Sequence, residues 1–454
     1  MSSKAIFRPI DRLALPVLGV FLLLGSSLAC SFITTRFPAL SVVGRGLSSS
    51  GLIAYVGSDG NIYSTDRDGS QVRQITHRTE DSSLIYQYPT WAPDGSRLSF
   101  SSLERGSGVR QIARIYTVDP DGKDLVDVFR SDEQQPFYFY WSPDSQSISF
   151  LSSFSSGQGL ILQVVPARGG NPRALGIGQP FYWDWAPDSR TVSIHTGGAA
   201  ADSDEARLAL LTLGENLHEE ELPLRPTAFQ APAWSPDGEA LLLAAETGAG
   251  GAALLLLGQD GTVERQIESV DGPVAFAWSP DGSRLAYLQS QPDGQNTILR
   301  NLSLLDLSDV SQPLTIAESG VAAFFWAPDS RQVAYFIPQF SESIPQEQGV
   351  SFSAPHSLPA QVEPELRLSL MIYDVHTGQS RQTALFKPAD DFLNLLPFFD
   401  QYARSATLWS PDSRHLVVAG LDSSGSPGIY RVDAAGEQPP ERIADGTLAF
   451  WSWK

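Results

Sequence analysis

The chain has 454 residues, 42% of them hydrophobic, and its 51 acidic against 31 basic side chains give a formal charge of −20 at pH 7. Such a surplus repels phosphate backbones, which attract proteins through Lys and Arg, so nucleic acid is excluded as an expected partner. One cysteine and six scattered histidines exclude a disulfide scaffold and a Cys-based zinc fold, while 38 Gly, 32 Pro, 10 Trp, 13 Tyr and 23 Phe point to many short strands joined by turns.

Residues 1–30 read as a signal peptide or membrane anchor. Lys4, Arg8 and Arg12 precede the uncharged apolar run Leu13 to Leu24, and the small residues Gly25, Ser26 and Ser27 follow. The uncharged stretch continues to Thr35, long enough as a helix to span a hydrocarbon core of roughly 30 Å, so cleavage and retention both stay open. Positive charge before the apolar segment and none immediately after it predict that residues beyond Ser31 lie outside the cytoplasm. Ser27-Leu28-Ala29-Cys30 resembles a bacterial lipoprotein signal, which implies lipidation at Cys30, although Leu28 stands two places before the cysteine rather than three. The expected location is extracytoplasmic, anchored to the cell envelope through a lipid or a helix. Residues 31–50, rich in Ser, Thr and Gly, read as a flexible linker.

From residue 51 to residue 454 one string recurs. Trp91, Trp141, Trp185, Trp234, Trp278, Trp326 and Trp409 are each followed by Ser or Ala, then Pro-Asp, then Gly or Ser, and a broken copy stands at Trp451. Intervals of 44 to 50 residues, with one of 83 before Trp409, are those of propeller blades. After each turn come an apolar run such as Arg97 to Phe100, a second such as Ile115 to Val118 and a third such as Arg265 to Ile267. With the residues before the tryptophan each unit supplies four strands, A to D from the inside outward. Pro presets φ for a type I turn and Asp bonds nearby amides, so the motif is the A–B hairpin. The tryptophan beside it suits packing between neighbouring blades.

The two ends complement each other. Leu52 to Tyr55, Asn61 to Tyr63 and Gln71 to Ile75 read as B, C and D without an A, whereas Thr447 to Trp451 reads as an A with nothing after it. Pairing the N- and C-terminal strands closes the ring and removes its sheet edges. The expectation is an all-β, eight-bladed propeller of four-stranded antiparallel blades, or a seven-bladed one if residues 336–405 conceal a misread unit.

At these residues the sequence resembles the TolB-like propeller family, whose repeat is Trp or Phe followed by Ser-Pro-Asp-Gly, then a β-strand, an Ile-Tyr strand and a closing strand. The likeness covers about residues 52 to 454. It implies the architecture, and the same propeller type serves both as a partner-binding module and as a gate before a hydrolase domain, so fold does not select a function. Several repeats end in Ser where the family has Gly, and no separate N-terminal α/β domain of the kind TolB carries is expected here.

The usual signatures of catalysis are missing. There is no Gly-x-Ser-x-Gly nucleophile elbow and no His-Glu-x-x-His. Asp119-Pro-Asp-Gly-Lys-Asp124 has the look of a calcium loop, but its twelfth position is Arg130 rather than Glu, so it reads as a C–D turn. The sialidase Asp-box order is not met, and Glu219-Glu220-Glu221 reads as a solvated loop. No catalytic residue, cofactor or metal site is expected.

Two features point to a partner. Residues 338–367, in the B–C connection of the unit begun at Trp326, and 387–405, in the next D–A connection, are insertions that rise from one face, and long loops in compact domains are often functional. Phe392, Phe398, Phe399 and Tyr402 make the second insertion an expected protein contact. Tyr88, Tyr138 and Tyr182 stand three places before their tryptophans, where the next four units have Ala231, Ala275, Ala323 and Ala406; they outline an aromatic pocket at the channel mouth, or else pack between blades. The leading expectation is a non-catalytic scaffold that binds a protein or peptide; the alternatives are a hydrolase with its active site in the channel and a small-ligand sensor.

Overall fold

The computed structural model describes residues 51–454 apart from 79–82, 106–110, 155–156, 158, 198–205, 228–229, 248–250, 271, 291–299, 342–364 and 403. The leader 1–30 with Cys30, the linker 31–50 and most of the first insertion lie outside the described residues. Among the described residues no helix is long and apolar enough to cross a membrane.

The repeat folds as its pattern predicts. Blade 2 runs A to D as Leu84–Trp91, Leu98–Arg105, Gln111–Val118 and Val126–Ser131, every neighbouring pair antiparallel. Blades 3 to 6 repeat the order from the A strands Gln134–Trp141, Phe181–Trp185, Ala233–Trp234 and Val274–Trp278. Blade 7 begins at Ala323–Trp326, and its D strand Gln379–Pro388 pairs at its tip with the B strand of blade 8, His415–Leu421, through Lys387↔Leu421 and Pro388↔Gly420. These two units therefore share one seven-stranded sheet. Counted by tryptophan-marked inner segments the described residues make eight units; counted by continuous hydrogen bonding they make seven sheets.

Closure occurs where the ends predicted it. Gly446–Trp451 pairs antiparallel with Ile53–Gly57 in the register Ile53↔Trp451 to Val56↔Leu448, then shifts so that Gly57 faces Gly446. A Cβ on Gly446 would stand 2.4 Å from the Val56 carbonyl oxygen, so this crossing of two chain ends requires glycine. Ser452 fastens the seam from both sides: its hydroxyl accepts from the Leu52 amide at 2.8 Å and its own amide donates to the Leu52 carbonyl at 2.7 Å.

The tryptophans join blade to blade. The indole N–H of Trp91 donates to the Phe450 carbonyl, Trp141 to Thr90, Trp278 to Ala233, Trp326 to Ala277 and Trp409 to Phe325, each on the A strand of the preceding blade. A second fastening lies on the motif face. Ser145, Ser189, Ser330 and Ser413 occupy the last motif position with φ near +60°, and each hydroxyl accepts the amide of the motif aspartate one blade back, at 2.9 to 3.1 Å. Serine at this position, where Gly ends the other motifs, thus adds a hydrogen bond between blades, which the sequence did not disclose.

Two local expectations need adjustment, and a third stands. Glu219, Glu220 and Glu221 are not a loop: they form the outer strand Leu217–Glu221, exposed along its length, with Glu219 paired to Arg207 at 3.0 Å. The first insertion is shorter than expected, because the flanking strands extend to Ser341 and start again at Glu365. The Asp119 to Asp124 segment is a C–D turn, and Arg97 occupies its centre with Nη1 2.8 Å from both Asp119 and Asp124 carboxylates.

Candidate functional site

The second insertion begins as the helix Asp390–Leu395, continues as a single 3₁₀ turn Leu396–Phe398, and leads through Ser405 into the inner segment of blade 8. Phe392 and Leu395 on one helix side, and Leu396 and Phe399 beyond it, are buried. Phe399 meets Phe324 and Phe325 of blade 7 edge to face, at 5.2 and 5.9 Å between ring centres, and Phe392 meets Phe336 at 5.7 Å. The far end meets the opposite side of the ring. Tyr402 stacks on Tyr88 of blade 2 at 5.8 Å and packs edge to face on Tyr138 of blade 3 at 4.7 Å. Only a segment on the axis touches the inner strands of blades 2, 3, 4 and 7 at once, so residues 389–406 plug the channel.

Polar groups hold the plug as well. The Ser405 hydroxyl donates to the Phe139 carbonyl at 2.9 Å, Thr90 donates to the Ser405 carbonyl at 3.2 Å, and the Tyr140 hydroxyl donates to the Gln401 carbonyl. Arg404 reaches into blade 4, where its Nε pairs with the Asp184 carboxylate and its Nη2 donates to the Trp185 carbonyl at 3.0 Å. Asp184 is 1% exposed and its second oxygen accepts the Trp234 amide at 2.9 Å. Burial pushes the Asp184 carboxyl upward against the opposing pull of Arg404. The plug is thus pinned by a desolvated ion pair, which is costly to break on one side only.

Tyr88 and Tyr138 have φ of 52° and 50° and sit at bulges where the A–B register slips, between Gln87 and Thr90 and between Phe137 and Phe139. A bulky residue in the left-handed region costs of order 1–3 kcal/mol, so the surrounding contacts must impose it. Here the bulges turn both tyrosines toward Tyr402. Burial raises the hydroxyl pKa of all three, with the Asp400 carboxylate adding to the effect at Tyr138 and Asp391 at Tyr88.

Beside the plug, on the face bearing the D–A and B–C connections, a cleft of about 540 Å³ opens between three elements. Its walls are the blade 1 turn Val56 to Gly60 with Thr447 and Leu448, the start of the blade 2 A strand from Ile85 to Tyr88, and the helix residues Asp391, Asn394 and Leu395; Arg78 and Tyr402 complete it. Ile85 is 46% exposed, and Tyr86 and Tyr88 are half-buried. Partial burial pushes the Asp59 carboxyl up, but hydrogen bonds from the Asn61 side chain at 2.7 Å, the Asn61 amide at 3.0 Å and the Tyr63 hydroxyl at 2.8 Å outweigh it and hold the group below its usual range. A cavity of this volume with aromatic walls and a few fixed polar groups is the ordinary form of a binding site.

Of the seven aromatic residues expected to bind a partner, Tyr88, Tyr138, Phe398 and Tyr402 pack with one another, while Phe392 and Phe399 pack on blade 7 and Tyr182 on His195. Phe392, Phe399, Tyr402 and Tyr182 are buried at 0%, 3%, 9% and 2% exposure, their rings consumed by packing inside the ring, while Phe398, Tyr88 and Tyr138 are half-buried. The aromatic mouth around Tyr138, Phe181, Tyr182 and Trp183 encloses about 10 Å³, the room of a single water. Sequence reasoning missed Ile85, Tyr86, Asp59 and Asn394. The signal lay in the same insertion: Asp391 and Asn394, three apart on one helix, share the side opposite the apolar Phe392 and Leu396.

Fold and site together define a closed β-propeller whose axis is filled by its own chain and which carries an aromatic-walled cleft beside that filling on its D–A/B–C face. No family model and no curated protein matches the chain. Among solved structures it is similar to TolB of Agrobacterium tumefaciens (19% identity, 59% of this chain and 87% of that one, TM-score 0.36). It is similar also to the β-propeller domain of the trilobed protease of Pyrococcus furiosus (12%, 80% and 96%, TM-score 0.43). A third likeness is to an oligogalacturonate lyase in complex with manganese (15%, 85% and 98%, TM-score 0.46). None of the three exceeds 19% identity or a TM-score of 0.46, and they carry no argument about activity.

Proposed function

We propose that this protein is an extracytoplasmic, envelope-tethered propeller that binds a protein or peptide, without catalysis, through the cleft on its D–A/B–C face. The plugged axis carries the reading. A channel-centred hydrolase needs reachable ionisable groups on the axis, whereas Asp184 and Arg404 are buried and paired with each other. The open surface of that face includes the cleft, with Ile85, Tyr86 and Tyr88 at its wall. Support for the tether is the leader of residues 1–30, whether it anchors by lipid at Cys30 or as a helix, followed by the linker 31–50.

A photo-cross-linking residue at Ile85 tests the site against one at Ser96, which stands exposed in an A–B turn on the other face. In intact envelopes the Ile85 probe is expected to trap a discrete protein or peptide and the Ser96 probe none. Equal trapping at both positions, or none at Ile85, overturns the reading.

A further inference from the structure

We infer that the cleft takes an arginine side chain of its partner, between the Asp391 carboxylate and the ring of Tyr88. The inference rests on the binding reading above and names the chemistry of the bound group. Asp391 and Asn394 line the cleft from one side of the helix, both are exposed, and neither side chain makes a hydrogen bond or ion pair with a described residue. Asp391 lies close enough to Tyr88 to raise its hydroxyl pKa. A carboxylate, a carboxamide oxygen and a partly exposed aromatic ring converging on one space match a guanidinium, which offers a planar fork of donors to the first two and a cationic face to the third.

The charges around the cleft agree. Asp59 is held ionised at the blade 1 turn, so two carboxylates line the space against one cation. That cation, Arg78, lies on the wall away from the helix, its Nη1 2.3 Å from where a Cβ on Gly60 would stand, and its amide donates to Asn61 Oδ1 at 2.8 Å. The surrounding chain, at −20, adds a long-range field that draws cations toward the surface.

The probe is a short labelled peptide with arginine at alternate positions, titrated by fluorescence anisotropy against the purified full-length protein, beside the same peptide with neutral citrulline. Because a chain of this charge attracts any cation, the deciding comparison is Asp391→Asn with Asp390→Asn, which removes an equal charge one residue outside the cleft. D391N is expected to weaken the arginine peptide about tenfold and D390N less than twofold, with the citrulline peptide weak on all three proteins. Wild-type affinity should fall as salt rises from about 50 to about 300 mM. Equal losses in D391N and D390N, or equal binding of the citrulline peptide, overturns the inference. If the Ile85 probe still traps a partner in that case, the inference alone has failed; if it traps nothing, the binding reading has failed with it.

Discussion

The two faces of the ring are built on opposite rules. On the motif face the units repeat one another: a tryptophan, a Pro-Asp turn after seven of them, an indole hydrogen bond to the previous blade from six of them and, at four junctions, a serine hydroxyl holding the neighbouring aspartate amide. On the other face a single departure, residues 389–406, fills the axis, sets the bulged tyrosines and builds one wall of the cleft. Repetition secures the ring, and the unrepeated segment builds one wall of the cleft. The contrast also explains why tyrosine precedes the tryptophans only in blades 2 to 4: Tyr88 and Tyr138 meet the C-terminal end of the plug, while Tyr182 packs against His195 at 5.1 Å.

Breaking either rule should cost the most where a large buried group is lost. Trp326→Ala, at a side chain 1% exposed, is expected to lower stability by about 3–5 kcal/mol in urea unfolding. A loss below about 1 kcal/mol would mean that the motif face does not hold the blades together. On the plug side, Arg404→Met leaves Asp184 buried without its cation and should cost about 3–5 kcal/mol at neutral pH. The deficit should shrink in acid, because the orphaned carboxyl then takes up a proton; a deficit that grows on acidification would contradict the ion pair's role.

A somewhat smaller effect is expected from His195, fully buried between blades 4 and 5 with its Nδ1 2.7 Å from the Gln230 carbonyl oxygen. Burial lowers its pKa to about 4, against the opposing hydrogen bond to Gln230. The folded protein therefore keeps a neutral imidazole where the unfolded chain binds a proton. Its stability contribution is complete above pH about 6.5 and drains away as pH falls toward about 4, a loss of about 3 kcal/mol. Unfolding of wild type and His195→Gln across that range should show the steeper pH slope in wild type, and identical slopes would refute the assignment.

The smallest effect separates hydrogen bonding from backbone strain on the motif face. Ser330→Ala removes the bond to the Asp281 amide yet keeps a side chain at φ of 61°, and should cost about 1 kcal/mol. Ser330→Gly loses the same bond but relieves the left-handed strain, so its thermal midpoint should lie close to that of wild type. A glycine variant weaker than the alanine one would show that the strain is negligible there.

Most of the architecture was legible because its determinants are local. Pro-Asp turns, alternation within short strands and the missing inner strand of blade 1 are patterns over a few residues, and each recurs often enough to cancel chance. The site was less legible. An aromatic loop reads the same whether its rings face solvent or one another, so Phe392, Phe399 and Tyr402 carried the right signal of importance and no signal of burial. The serine clasp was hidden for a related reason, since the partner of Ser330 lies 49 residues away and belongs to a different blade.

What the amino-acid order determined by itself was the repeat, the turn chemistry and the need of the last strand for the first, because each depends on backbone preferences and on groups near in sequence. Where the second insertion goes was decided only in three dimensions. Arg404 and Asp184 are separated by 220 positions, and Tyr138 and Tyr402 by 264. Such pairs form only once the ring has closed and left an axis of the right width to fill. The cleft is the space left between that filling, the turn of blade 1 and the start of the blade 2 inner strand, and its shape is therefore a property of packing rather than of any one segment.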